Sequence, residues 1–280
     1  MKAYISVDME GMPYIVSGEH LSPKKVLFSE ARKIATSVVN FVAEELYKEG
    51  FTEILLADSH GPMVNIDVEK LPEYVEIIRG FPRPVSMVAH VEEADAVLFL
   101  GYHAKFGTSL STFDHTYSGS IVRSVIVNGV EVSEFLLNAY VAGYYGKPVI
   151  LVAGEERLLS DDVAKYTPWA VRIPLKRSLS RYSARSPSLK RIEEMLRKGV
   201  SEAVKRFREG ETKPLRTSEP VNLRVVFQST AYADAVSLMP GSRRIDGLTV
   251  EYTANGIVEA YKLLELWVFA AYSMRQLSQL

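Results

Sequence analysis

Short apolar runs alternate with longer amphipathic stretches along most of the chain. This is the pattern of an α/β protein whose parallel strands are buried on both faces. Ala3-Tyr4-Ile5-Ser6-Val7, Glu53-Ile54-Leu55-Leu56-Ala57, Ala96-Val97-Leu98-Phe99-Leu100 and Pro148-Val149-Ile150-Leu151-Val152 each read as such a strand. After the first, Ser22-Pro23 offers an N-cap and a first-turn proline, predicting a long helix that runs to about Glu49 and stops at Gly50. A helical pattern covers Ser86 to Glu93. Ile121 to Val130 alternates and ends in Asn128-Gly129, a hairpin signal, before a helix from about Ser133 to Tyr145.

Beyond the fourth strand the pattern changes. Pro187 to Arg208 reads as a charged amphipathic helix, Val221 to Gln228 and Leu248 to Thr253 as strands around Leu238-Met239-Pro240-Gly241, and Ile257 to Gln276 as a last helix. The expected fold class is α/β, a mostly parallel sheet flanked by helices, with a smaller C-terminal α+β part. We set the division at residues 1–157, the metal-binding catalytic domain, and 158–280, the smaller domain.

Composition narrows the chemistry more than the fold. The 280 residues are 47% hydrophobic and 24% charged, enough for a conventional core. There are no cysteines, which removes thiolate catalysis and cysteine-ligated metals, so any metal must sit on His, Asp and Glu. The net charge of -1 is uneven: residues 1–150 hold 12 basic and 19 acidic side chains, residues 172–213 hold 13 and 5. Only Tyr182 and Phe207 fall within that basic stretch, which is no aromatic interleaving pattern, so it reads as a solvated helix and its flanks, with no nucleic-acid partner. Asp8 and Glu10 stand where a signal peptide needs its apolar segment, which predicts a cytoplasmic location. Leu263 to Met274 is interrupted by Glu265 and too short to cross a bilayer, so no membrane partner is expected.

The candidate chemistry lies at strand ends. Asp8 and Glu10 follow the first strand, His60 follows the second in Asp58-Ser59-His60, and His103 follows the third in Gly101-Tyr102-His103-Ala104. Open α/β sheets bind ligands outside the carboxyl ends of their strands, so three strand ends aim polar groups at one place. Imidazole with carboxylate suits zinc, manganese, cobalt or iron better than calcium. With Glu134 added the set has five side chains, more than one catalytic zinc takes, which predicts two metals bridged by Asp8 and able to hold a hydroxide. His115 lies in a Gly/Ser/Thr-rich stretch, Gly107 to Ser120, of the kind that carries function on long loops. Each of these residues has an ordinary reading when taken alone: a loop carboxylate, a turn imidazole, or a glutamate favoured at a helix N-terminus. His20 and His90 are read that way. No Walker loop, dinucleotide fingerprint, G-x-S-x-G elbow or HExxH helix occurs.

Ser6-Val7-Asp8-Met9-Glu10-Gly11, Asp58-Ser59-His60, Gly101-Tyr102-His103-Ala104 and Asn138-Ala139-Tyr140-Val141-Ala142-Gly143-Tyr144-Tyr145 together resemble the DppA-type D-aminopeptidases, peptidase family M55. The resemblance spans most of the chain, including Leu238-Met239-Pro240-Gly241 and the C-terminal helix. It implies a cytoplasmic metal-dependent aminopeptidase that releases N-terminal D-amino acids from short peptides and assembles as a ring-shaped homodecamer. It also implies two zinc ions per subunit held by Asp8, Glu10, His60, His103 and Glu134, with Asp8 bridging, and His115 as the catalytic histidine. After Gly11 the chain continues Met12-Pro13-Tyr14 in place of the family's small, Gly-containing turn, which predicts a different pocket edge. The rival expectations are a binuclear-metal phosphoesterase, since the same donors activate water against phosphorus, and a non-catalytic ring protein that binds peptide or metal.

Overall fold

The computed structural model describes residues 1–277. Six parallel strands lie in the order β3 (Val75–Ile78), β2 (Glu53–Asp58), β1 (Lys2–Val7), β4 (Ala96–Tyr102), β7 (Val149–Glu155) and β8 (Val171–Ser180). The short strand β9 (Ser183–Arg185) pairs antiparallel on the far edge. The strands alternate their side chains between two cores. Ala3, Ile5 and Val7 of β1 face α1 (Phe28–Lys48) and α5 (Leu189–Arg208), whereas Tyr4 faces the core built with α2 (Glu134–Tyr144) and α7 (Ile257–Leu277). Both faces are covered, which is why these strands read as continuous apolar runs.

A second sheet is antiparallel, in the order β11 (Arg243–Arg244), β12 (Thr249–Ala254), β10 (Val221–Phe227), β5 (Val122–Val127) and β6 (Val130–Glu131). The β5–β6 hairpin turns at Asn128 and Gly129, with φ of 49° and 81°, the left-handed pair that a two-residue hairpin loop needs. The helices α6 (Thr230–Ser237) and α7 pack on this sheet. Both sheets span residue 157, since β7 pairs with β8 and β5 pairs with β10. The two sheets thus interleave along the chain.

Several elements differ from expectation. Helix α1 starts at Phe28, six residues after Ser22, and its N-cap Leu27 makes no side-chain cap; Ser22 instead accepts a turn hydrogen bond from Lys25 N at 2.9 Å. Its end is as expected, with Gly50 at φ 85° just beyond the last turn. Ser86 to Glu93 is two 3-10 turns, because Val85 and His90 take left-handed φ of 51° and 64° and interrupt the helical path. Strand β3 is only four residues long, and β8 carries Arg172, Lys176 and Arg177, so neither shows an apolar run. Between β7 and β8 the turns α3 (Glu156–Leu158) and α4 (Ala164–Tyr166) flank a wider π turn. Two arginines of the basic stretch meet α1 and its C-cap: Arg197 pairs with Glu44 and Glu45, and Arg208 with Glu49. No helix among the described residues is long and apolar enough to cross a membrane.

Candidate active site

The strand order reverses between β1 and β4, whose connections leave in opposite directions and open a crevice at their carboxyl ends. The two strand ends are laced together there. Asp8 N donates to the Leu100 carbonyl at 2.8 Å and Gly11 N to the Gly101 carbonyl at 2.7 Å. A Cβ at Gly11 would overlap the Tyr102 carbonyl and one at Gly101 would overlap the Asp8 carbonyl, so only glycine permits this approach. It brings Asp8 and Glu10 of one strand end beside His103 of the other. His60 arrives from the end of β2. Glu134 is the first residue of α2, behind Ser133, whose hydroxyl accepts from Leu136 N at 3.2 Å. His115 comes from the long loop, held by its own N–H on the Ala104 carbonyl at 3.3 Å, while Asp114 ion-pairs with Arg181.

All six predicted residues meet. His60 Nδ1 lies 2.8 Å from Glu10 Oε2 and 3.3 Å from Asp8 Oδ1. His103 Nε2 lies 3.5 Å from Asp8 Oδ2 and 3.6 Å from Glu134 Oε2, and His115 Nε2 is 3.5 Å from Glu134 Oε1. The rings of His103 and His115 stack at 4.4 Å. Each imidazole spends one nitrogen on a backbone carbonyl: His60 Nε2 on Leu21 at 2.9 Å, His103 Nδ1 on Ala104 at 2.9 Å, His115 Nδ1 on Phe113 at 2.7 Å. The other nitrogen of each faces the cluster, the outer-shell arrangement that fixes metal-binding histidines.

Asp8 Oδ2, Glu10 Oε2 and His103 Nε2 are buried and accept or donate no hydrogen bond. Three unsatisfied polar atoms in one buried place are costly unless something else meets them. Donor atoms of Asp8, Glu10 and His60 lie within 4.8 Å of one another, as do those of Asp8, His103 and Glu134. The two sets share Asp8, one oxygen toward each, and the N/O donors suit zinc. Electrostatics agree. Burial raises Asp8, and the adjacent Glu10 adds to the rise. Burial would also raise Glu10, but His60 outweighs it and holds that carboxyl well below its usual range. Burial opposes the charged form of His60, yet Glu10 and Asp8 lift it well above the ordinary imidazole value. The carboxylates are asking for positive charge, and a divalent ion is the strongest source of it.

Beneath the cluster runs a buried hydrogen-bond chain. Tyr261 Oη donates to Asn138 Oδ1 at 2.8 Å, and Asn138 Nδ2 to Tyr102 Oη at 3.0 Å. Tyr102 Oη is 2.7 Å from Ser6 Oγ, which donates to the Met87 carbonyl at 2.8 Å and lies 2.9 Å from Ser59 Oγ. Ser59 precedes His60, Tyr102 precedes His103, Asn138 is one turn after Glu134 and Ser6 is two before Asp8. The chain therefore ties together the four elements that carry the cluster. The sequence marked Ser6, Ser59, Tyr102 and Asn138 only as motif members; this is what they do. Asn138→Leu should remove the acceptor of the Tyr261 hydroxyl and one of the two partners of the Tyr102 hydroxyl, at about 1–3 kcal/mol in all. Chemical denaturation should show a correspondingly lower midpoint, and an unchanged midpoint would remove the network from the argument.

Lys176 carries no sequence signal, being one charge among many. It is buried and donates to the Glu10 and Ile15 carbonyls, the latter at 2.6 Å, bracing the turn after β1. Burial lowers its ammonium to about 7, against the pull of Glu155 and Glu10. The expectation that Met12-Pro13-Tyr14 alters the pocket edge is not met. Met12 is buried, and Tyr14 turns away to donate to the Pro187 carbonyl at 2.5 Å; none of the three lines the cavity over the cluster. His20 stays outside the site, its ring against Ser17, and His90 sits on the surface beside Glu93.

The cavity above the cluster has a volume of about 230 Å³, with Asp8, Glu10, His60, His115 and Glu134 on its floor. Comparison with known proteins identifies the class of chemistry. Residues 1–266 match the D-aminopeptidase family, Peptidase M55. The D-aminopeptidase of Bacillus subtilis (strain 168) is 33% identical over 266 residues, 94% of this chain and 95% of that protein. The solved structure of the Zn-dependent D-aminopeptidase DppA from Bacillus subtilis, described as a self-compartmentalizing protease, superposes with a TM-score of 0.92 at 32% identity. It covers 97% of this chain and 98% of that one. A buried carboxylate and imidazole cluster at the switch point of the same fold, with the family matched over nearly its whole length, places the chain in the M55 D-aminopeptidases, a family of metal-dependent aminopeptidases.

Proposed function

We propose that the protein removes N-terminal D-amino acids from short peptides with two zinc ions per subunit. Asp8, Glu10 and His60 would hold one ion, and Asp8, His103 and Glu134 the other. The observation that carries this reading is that two of the three three-residue donor sets among the described residues share Asp8. With the histidines neutral as metal ligands, the three carboxylates would leave more negative charge than one divalent ion neutralises. When bound, zinc supplies Lewis acidity toward a peptide carbonyl and acidifies water. His115, tied at Nδ1 and facing the cavity, hands the proton gained from water to the leaving amine as the C–N bond breaks. Every group in these roles lies within residues 1–157, the part we propose as the catalytic domain, and 158–280 supplies part of the cavity wall.

The same reading extends to assembly and place. We infer a cytoplasmic homo-oligomer, a decamer by family, in keeping with the self-compartmentalizing relative and with Leu266, Phe269 and Tyr272 standing partly exposed on α7. The test is release of D-alanine from D-Ala-D-Ala beside L-Ala-L-Ala, with zinc supplied or chelated. Zinc-dependent cleavage of the D-peptide alone is expected. Cleavage of the L-peptide instead overturns the handedness, and turnover of phosphoesters without peptide hydrolysis overturns the reaction.

A further inference from the structure

The cavity wall has a chemistry that the hydrolytic cluster does not use. Met63, Phe81, Met87, Val268 and Phe269 give it an apolar lining, and Glu265 of α7 is the one charged side chain on that wall away from the cluster. Glu265 hydrogen-bonds to Ser86, and its charged neighbours are Arg83 and Lys262. Arg83 is committed elsewhere: its guanidinium donates to the carbonyls of Ser86, Ile78 and Asp58 at 2.7, 3.0 and 2.8 Å. No ion pair to Glu265 forms among the described residues. Burial lifts its carboxyl to about 7 despite the Ser86 hydrogen bond, so the charged form lacks a full partner.

An apolar wall that carries a carboxylate without an ion-pair partner complements a long aliphatic side chain that ends in a cation. The methylenes lie against the apolar wall while the ammonium meets the acid, as amphipathic side chains do elsewhere. A neutral substrate side chain would leave the half-buried carboxylate unmatched. We propose that Glu265 is a specificity-determining residue that selects peptides carrying a lysine-like cationic side chain, beyond the reach of the scissile bond. This rests on the aminopeptidase reading above, and names the substrate class for that site.

The test compares the zinc-loaded enzyme on D-Lys-D-Ala, D-Ala-D-Lys and their norleucine isosteres, with D-Ala-D-Ala as reference. A tenfold or greater preference in kcat/KM for a lysine peptide over its isostere is expected, and which peptide shows it tells whether the first or second residue meets Glu265. Glu265→Gln should collapse that ratio toward one with zinc content unchanged. Calorimetric binding of D-lysine against D-norleucine should lose its preference in the same variant. Equal rates for lysine and norleucine peptides in the wild type, or a ratio untouched by Glu265→Gln, overturn the proposal. Failure to cleave any of the five peptides is a different result, and counts against the aminopeptidase reading itself.

Discussion

Asp8→Ala is expected to empty the metal centre and lower kcat/KM by roughly 10³-fold or more. Its carboxylate is the one side chain common to both donor sets, with Oδ1 3.3 Å from His60 Nδ1 and Oδ2 3.5 Å from His103 Nε2. Removing it takes a ligand from each ion and leaves the remaining carboxylates facing each other without the bridge. Lewis-acid assistance is worth several kcal/mol, and each 1.36 kcal/mol is a factor of ten in rate, which sets the size of the loss. Metal analysis of the purified variant should find less than half the wild-type zinc. Asp8 is buried beside Met9, whose N–H it accepts at 2.8 Å, so the fold must be checked separately by far-UV circular dichroism. A folded Asp8→Ala protein with full zinc content would rule out the bridge. Glu10→Ala makes the complementary case, since Glu10 belongs with His60 to one donor set and should cost one ion.

Much of this centre was legible before any coordinates because its chemistry is written at strand ends. Asp8, His60 and His103 each follow an apolar run that can only be a buried strand, and the topology of parallel sheets puts those ends together. Glu134 was the least specific member of the set, since a glutamate at a helix start is ordinary, and the resemblance supported its place in it. What could not be read is long-range. Strand β8 hides within a stretch rich in arginine and lysine, because its exposed positions alternate with Ile173 and Leu175 in a way that charge obscures. Lys176, a buried ammonium with two carbonyl acceptors, cannot be told from its exposed neighbours by type. The same holds for Glu265, whose sequence role was to interrupt an apolar helix. The structure gives that interruption a location on the cavity wall. The interleaving of the two sheets is equally invisible locally, as it depends on β5 leaving the first half to pair with β10.

His115→Ala is the sharpest separation of roles within the cluster. His115 stacks on His103 at 4.4 Å and its Nε2 is 3.5 Å from Glu134 Oε1, yet its side chain keeps 18% of its surface open while His103 keeps 1%. A ligand gains by being sealed, whereas a proton carrier must reach both the cluster and the substrate. His115 also sits on a loop held from outside the cluster by Asp114 and Arg181, so removing its ring leaves the donor sets built on Asp8 intact. General acid–base assistance contributes typically about 10²–10⁴-fold, so kcat should fall by that much with KM for D-Ala-D-Ala little changed. Zinc content should remain at the wild-type value. Glu10, His103 and His115 also bring donor atoms within 4.8 Å, which is the geometry of a third possible ligand set. Loss of zinc in His115→Ala would therefore reassign this residue from proton carrier to ligand. Near-normal turnover with zinc retained would deny it both roles and return the proton to water. His115→Gln adds the discriminating control: an amide can still hydrogen-bond at the same place but cannot carry a proton, so it should keep the metal and remain as slow as the alanine variant.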